Sequence, residues 1–232
     1  LGLNPGARIM LRIGNHVDFP ILFLAAIAAG FVPVPTSSQL TTPETYALIA
    51  DLDPALIVFG TGVDVPDDLA CACLRPVDIA ALRDHAPIAP VMGDPDRLAY
   101  IIYTSGTSGK PRAVMHAHRA IWARRMMWED WYGLTADDRL LHAGAFNWTY
   151  TLGTGLMDPW AIGATALIPD PGLDRATLAQ LIRDSRATIF AAAPGVYRQL
   201  IKSSAALNLP DLRHGLSAGE KLPAALEQAW EA

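Results

Sequence analysis

The 232-residue chain has only two cysteines, Cys71 and Cys73. With one residue between them they read as ordinary thiols of a reducing cytoplasm, not as a disulfide framework. Two thiols do not close a zinc site, and none of the six histidines stands at finger spacing from them. Charge is scarce as well: Asp, Glu, Lys and Arg make up 18% of the residues against 51% hydrophobic ones. That balance excludes a disordered chain and suits a well-buried α/β protein. A formal net charge of -5 gives no electrostatic reason to bind nucleic acid. No unbroken apolar run reaches the roughly 20 residues of a spanning helix. The nearest, Phe19 to Pro35, is interrupted by Pro20, Gly30, Pro33 and Pro35 and reads as a buried helix running into a buried strand. There is no repeat of solenoid length. There is also no basic leader: the chain opens on Leu1-Gly2-Leu3 without an initiator methionine, an opening expected inside a longer polypeptide.

What is present alternates between strand and helix patterns. Arg8 to Ile13, Phe31 to Val34 and Ala55 to Phe59 read as strands, separated by helices over Asp18 to Ala29 and from Thr42 to about Leu52. Gly30 stops the first helix; Thr42-Pro43-Glu44 starts the second, with Thr42 as its cap. Such alternation with short links predicts a parallel sheet. Gly60 to Asp96 carries only weak signals. Leu98 to Tyr103 is a buried strand entering a Gly, Ser and Thr loop; Ala113 to His116 resumes a strand, and His118 to Tyr132 reads as one long helix ended by Gly133. Strands over Arg139 to Ala143, Ala164 to Ile168, Thr188 to Ala191 and Leu212 to Ser217 then alternate with helices over Thr151 to Ile162, Arg175 to Asp184 and Pro194 to Ser204. The expected fold is α/β, two stacked and mostly parallel sheets with helices between and outside. One subdomain covers 1–133, the other 134–232, and residues 1–15 are candidates to pair with the second sheet.

The chemistry concentrates in Tyr103-Thr104-Ser105-Gly106-Thr107-Ser108-Gly109-Lys110-Pro111. Glycines let the backbone turn tightly and bring N–H groups to an anion. Hydroxyls donate to phosphate oxygens, and lysine adds a compact positive charge. The string suits a polyphosphate, yet it is not the nucleoside-triphosphatase P-loop: Thr104 stands where that pattern needs Gly, and Pro111 where it needs Ser or Thr. Pro111 also prevents a helix from running back through Lys110, so the anion is expected in a loop between strands.

This string resembles the phosphate-binding signature of the superfamily that contains acyl- and aryl-CoA synthetases, peptide-synthetase adenylation domains and luciferases. Ala26 to Pro35 resembles that family's early helix-to-strand motif. Ala187 to Leu200, with Pro194 and Tyr197, resembles its strand and helix beside the acyl pocket, and Ser217-Ala218-Gly219-Glu220 its adenine-side turn. The resemblance covers nearly the whole chain.

It implies the first half of an ATP-dependent carboxylic acid–CoA ligase that uses ATP, magnesium and coenzyme A through an acyl adenylate. Carried over, Thr104, Ser105, Gly106, Thr107, Ser108, Gly109 and Lys110 close over the β- and γ-phosphates, with Lys110 as the catalytic charge. Arg112 and Ala113 depart from the family's usual Lys and Gly. Phe146, Asn147, Trp148 and Ala218 line the acid pocket, with Trp148 its aromatic wall; Gly219 and Glu220 lie against the adenine. Amino-acid-activating domains carry Asp where Asn147 stands, and a neutral amide cannot balance a buried ammonium, so an acid without an α-amino group is expected. No residue is assigned as a metal ligand. Read without the family, Phe146 and Tyr150 are packing aromatics, His142 is structural, His118 packs or caps, and Asp137-Asp138 is a solvated turn. The family's Tyr-Gly-x-Thr-Glu segment and C-terminal domain are not among the 232 residues, so the chain is not expected to complete adenylation alone. The expected partners are a small carboxylic acid, ATP and coenzyme A, without nucleic acid or a membrane span; an apolar face left by the missing half favours a homo-oligomer. Two other readings stand beside this one: a piece of a peptide-synthetase adenylation module, and a non-catalytic nucleotide-binding domain.

Overall fold

The computed structural model describes residues 2–104, 111–170, 172–203 and 207–231. They fall into two compact units, Leu1–Trp122 and Ala123–Ala232, so the division lies at Trp122 and not at Gly133. Tyr132 and Leu134 belong to the core of the second unit, which is why the chain from Ala123 onward goes with it. Among the described residues no helix is long and apolar enough to cross a membrane.

The first unit runs β1 (Arg8–Arg12), α1 (Asp18–Ala28), β2 (Val32–Pro35), α2 (Thr42–Leu52), β3 (Leu56–Phe59), β4 (Ala72–Leu74) and α3 (Pro76–Leu82). The strands pair in parallel in the order β2-β1-β3-β4. Met10 stands opposite Val34 and Ile57, and all three are fully buried. Ile9, Met10 and Leu11 are apolar in succession and buried on both faces, the signature of an interior parallel strand. That pattern seats β1 in its own sheet, so residues 1–15 do not pair with the second one. The α2 cap is Thr41, one residue before the expected Thr42: the Thr41 N–H donates to Glu44 Oε2 at 2.8 Å, and the Glu44 N–H reaches back to Thr41 Oγ1. This reciprocal box satisfies two end N–H groups and outweighs the Thr42-Pro43 pairing.

Next come β5 (Leu98–Thr104) and β6 (Arg112–Ala117), an antiparallel pair with Thr104 opposite Arg112. The expected long helix is short: α4 (His118–Ala123) gives way to a tighter 3₁₀ turn over Arg124–Met127, where Arg124 turns its guanidinium into the second unit's core.

That unit contains β7 (Arg139–His142), α5 (Thr149–Leu152), α6 (Asp158–Ile162), β8 (Thr165–Leu167), α7 (Leu178–Asp184), β9 (Ile189–Ala192), α8 (Pro194–Ser203), β10 (His214–Ser217) and α9 (Ala224–Glu231). Its sheet is parallel in the order β10-β9-β7-β8. Leu140, Ile189, Ala191 and Leu216 pack on one face, with Tyr132 and Leu134. Leu141, Phe190 and Ala192 pack on the other, with Ile182, Tyr197 and Leu200. The helix expected over Thr151–Ile162 is interrupted: between α5 and α6 the chain widens into a π turn, Gly153–Met157. Pro159 explains it, because its ring would strike the Gly155 carbonyl in an α-helix and it has no N–H to offer. One extra residue per turn relieves the clash.

Two buried carboxylates tie this unit together. Asp158 accepts from Arg124 Nε at 2.7 Å, Arg124 Nη2 at 2.6 Å and the Tyr132 hydroxyl at 2.7 Å. Asp138, expected in a solvated turn, is 3% exposed. It accepts from the Thr135 N–H, the Thr188 hydroxyl and both Nε and Nη2 of Arg213. Burial opposes its charge, but the bonds from Arg213, Thr188 and Thr135 prevail and hold its pKa at about 2.

Candidate active site

Ser105 to Lys110, on which the phosphate chemistry was expected to fall, lie outside the described residues. Their flanks are well defined. Thr104 is exposed at the end of β5 and in register with Arg112. One residue earlier, the Tyr103 hydroxyl donates to Asp51 Oδ2 at 2.6 Å, and burial followed by this bond raises the phenol's pKa. The strand that leads into the string is thus anchored to α2. Just past it, His116 stacks on Tyr100 with ring centroids 4.5 Å apart. His118 opens α4, and its N–H donates to the Arg97 carbonyl at 3.2 Å. Burial and the Arg97 charge lower the His118 pKa.

The other expected residues lie in the second unit, around the C-terminal ends of β7 and β10. In open parallel sheets the crevice beyond these strand ends is where ligands bind. Phe146 is buried, Asn147 half-buried and Trp148 36% exposed. Gly219 adopts a φ of +101°, which favours glycine. A Cβ there would stand 2.9 Å from Trp148 Cη2 and Cζ2, so the bare backbone is what lets the indole lie against the turn. The structure therefore brings Trp148 and Gly219 together, with Ala218 half-buried beside them. Glu220 is not part of the contact between Trp148 and Gly219. It is exposed and borders a shallow groove with Arg198 and Lys202. The Tyr197 hydroxyl sits 2.9 Å from both the Phe190 and Leu216 carbonyl oxygens and ties β9 to β10 just before the turn.

A polar group that the sequence reading took as structural stands beside these residues. His142 ends β7 and is 2% exposed. The Gly144 N–H donates to its Nδ1 at 2.9 Å. Burial pushes its pKa down to about 3, so the ring is neutral at pH 7. With Nδ1 accepting, the one proton must sit on Nε2, and this buried N–H has no hydrogen-bond partner among the described residues. The Tyr150 ring meets His142 edge-on at 4.5 Å and Trp148 at 5.4 Å. The Tyr150 hydroxyl and Thr151 Oγ1 are likewise buried and unpartnered among the described residues. Leaving one such group unsatisfied costs about 1–3 kcal/mol. A histidine closing a strand of leucines is the signal that could have marked this place. Among the described residues, no cluster of three His, Cys, Asp or Glu side chains could hold a metal ion.

A parallel sheet flanked by helices, with a glycine turn and an aromatic cluster at its strand ends, makes this unit an α/β domain. The sequence profile described as AMP-binding enzyme matches residues 1–232, and the chain belongs to that family. It is 31% identical to a 4-hydroxybenzoate–CoA/benzoate–CoA ligase of Rhodopseudomonas palustris, over 99% of this chain and 46% of that protein. It is 26% identical to a 3-hydroxybenzoate–CoA/4-hydroxybenzoate–CoA ligase of Thauera aromatica, over 99% of this chain and 48% of that protein. The solved N-terminal domain of FACL13 from Mycobacterium tuberculosis matches with a TM-score of 0.85 at 26% identity, covering 99% of this chain and 61% of that one. The chain spans about half the length of the curated relatives it matches.

Proposed function

We propose that this chain supplies the phosphate-binding string and the acid pocket of an ATP-dependent carboxylic acid–CoA ligase. The observation that carries the reading is the string from Thr104 to Lys110, set between a buried strand and its antiparallel partner in a chain matched throughout by the family profile. The acid's carboxylate, already ionised at neutral pH, attacks the α-phosphate of ATP; pyrophosphate leaves and an acyl adenylate remains. The thiol of coenzyme A then attacks the acyl carbon, and AMP departs. The first step gathers negative charge, so the work of the string is positioning and electrostatic stabilisation. Backbone N–H groups at Gly106 and Gly109, the hydroxyls of Thr104, Ser105, Thr107 and Ser108, and the Lys110 ammonium serve that purpose, and magnesium bound with the ATP would supply further positive charge.

Gly219 and Glu220 take the adenine side, while Phe146, Asn147, Trp148 and Ala218 surround the acid. Asn147 is neutral, which favours an acid without an α-amino group over an amino acid. Relatives named for hydroxybenzoate and benzoate support an aromatic acid. Two free thiols are compatible with work in a reducing cytoplasm.

Acid-dependent ATP–pyrophosphate exchange in the full-length polypeptide tests the reading. Benzoate-type acids should support exchange, and Lys110→Ala should lower it by about 100-fold. Exchange with amino acids alone would move the chain to a peptide-synthetase module. No exchange with any acid would leave a non-catalytic nucleotide-binding domain.

A further inference from the structure

We infer that Asp51 is a positioning residue for the proposed adenylation step: through the Tyr103 hydroxyl it fixes the hairpin end from which the phosphate-binding string departs. This rests on the ligase reading above and adds to it a residue that belongs neither to the string nor to the acid pocket.

The hairpin of β5 and β6 lies against the first sheet without joining its ladder. Cα atoms of β5 come within 8 Å of those of β2, closer than the about 10 Å between stacked sheets. Yet among the described residues β5 pairs with β6, and β2 with β1. Two prolines explain why. Val32 and Thr36 donate their N–H groups to the Ala7 and Leu11 carbonyls. Strand alternation then turns the nitrogens of Pro33 and Pro35 to the outer edge of β2, and neither carries a hydrogen. What holds β5 is apolar packing. Ile101 and Tyr103 lie on the cluster that contains Met10, Val34 and Phe59, and Tyr100 meets Phe23 edge-on at 5.5 Å. Such packing is non-directional, so it does not by itself fix how far β5 lies along β2.

A directed bond does. Tyr103 is half-buried, and its hydroxyl donates to Asp51 Oδ2 at 2.6 Å, the length of a charge-assisted O–H···O⁻ bond. Asp51 stands in the last turn of α2, a helix fixed at its start by the Thr41–Glu44 box and at its end by the Asp53 N–H on the Ile49 carbonyl, 2.8 Å away. Its neighbour Leu52 is buried in the same cluster as Ile101. Arg8 pairs with Asp53 at 3.3 Å, which leaves the Asp51 carboxylate to the phenol. The residue after Tyr103 is Thr104, which opens the string and stands opposite Arg112 across the hairpin; both are exposed. The bond therefore sits one residue from the start of the string. Without it the ring stays packed, but the hairpin end loses its fixed position. A misplacement of about 1 Å in a positioning group is enough to cost about 100-fold in rate.

The test is acid-dependent ATP–pyrophosphate exchange by the full-length polypeptide, with whichever of benzoate and the hydroxybenzoates supports most exchange, beside melting temperatures for every variant. Tyr103→Phe removes the hydroxyl and keeps the ring. Asp51→Ala removes the acceptor at an exposed helix position, where folding is least at risk. Each should lower kcat/KM for ATP about tenfold. The double variant should fall no further than either single one, because both remove the same bond. Asp51→Asn keeps an acceptor oxygen and should recover most of the loss; if Tyr103→Phe fails to fold, the two Asp51 variants decide alone. KM for the acid should not move, because the acid segments lie in the second unit. A contact that only stabilises the fold would lower the melting temperature and leave ATP kinetics as in the wild type, and that result overturns the inference. So do losses that add in the double variant, an Asp51→Asn variant as impaired as Asp51→Ala, or an equal change in KM for the acid. A wild type without exchange on any of these acids defeats the ligase reading itself, and this inference with it.

Discussion

Asp138 and His142 are each within a few per cent of complete burial, and both make the fold sensitive to acid, in different pH windows. His142 has its pKa lowered from an unfolded value near 6.5 to about 3. Between those limits the unfolded chain binds the proton and the folded chain does not. Stability is therefore fully present above pH 6.5 and falls by about 1.4 kcal/mol per pH unit below it. His142→Leu should remove that slope in denaturant unfolding followed from pH 7 to pH 4; an unchanged slope would assign it to other groups. Asp138 titrates lower. Its pKa of about 2 against about 3.9 unfolded leaves its contribution intact above pH 4 and lost as pH falls through 2. Asp138→Asn should cost about 1–3 kcal/mol at pH 7, since it removes the buried charge on which the Arg213, Thr188 and Thr135 donors converge, and the difference from wild type should shrink towards pH 2. Neither behaviour was legible in the sequence. Asp138 sits in a polar stretch, and its partner Arg213 is 75 residues away, beyond the reach of any local pattern. His142 looked like a packed residue because its environment is made by Gly144, Tyr150 and Gly155, which the fold brings together.

At the scale of elements, strands were easier to read than helices. The inner strands of the two parallel sheets, β1, β3, β7 and β9, are short, mainly apolar runs buried on both faces, a pattern that survives in sequence. Helix bounds depend on single contacts. The capping box chose Thr41 over Thr42, and the tightening at Arg124 shortened a helix whose composition would have continued it. The π turn between α5 and α6 was legible only as a proline within a helical pattern. Its two glycines have separate duties. At Gly153 a Cβ would run into the Arg124 guanidinium, which Asp158 holds; at Gly155 it would press on His142. Gly155→Ala should destabilise the chain by about 1–3 kcal/mol, the range for overpacking a filled core. Near-ultraviolet circular dichroism should report it through the neighbouring Trp148 and Tyr150. A Gly155→Ala variant as stable as wild type, with an unaltered aromatic spectrum, would mean that the turn yields at no cost.

For the whole molecule, the α/β character followed from alternation, while the phosphate chemistry is proposed from one string whose residue types suit polyphosphate. The proposed site was only partly legible. Trp148 and Gly219 were named from the sequence and do meet, whereas the place of His142 beside them requires the register His142 to Ala191 to Leu216, which no linear reading contains. The two compact units divide the expected parts between them: the string's flanks in the first, and the acid and adenine segments in the second. Family membership covers all 232 residues, while the matched relatives are about twice as long.

The most direct measurement is thioester formation by the full-length polypeptide, with ATP, magnesium, coenzyme A and a hydroxybenzoate, read by mass spectrometry beside Lys110→Ala. The account predicts an aroyl-CoA product with AMP and pyrophosphate, reduced by about 100-fold in the variant. Adenylate without thioester, or thioester formation indifferent to Lys110, would contradict it.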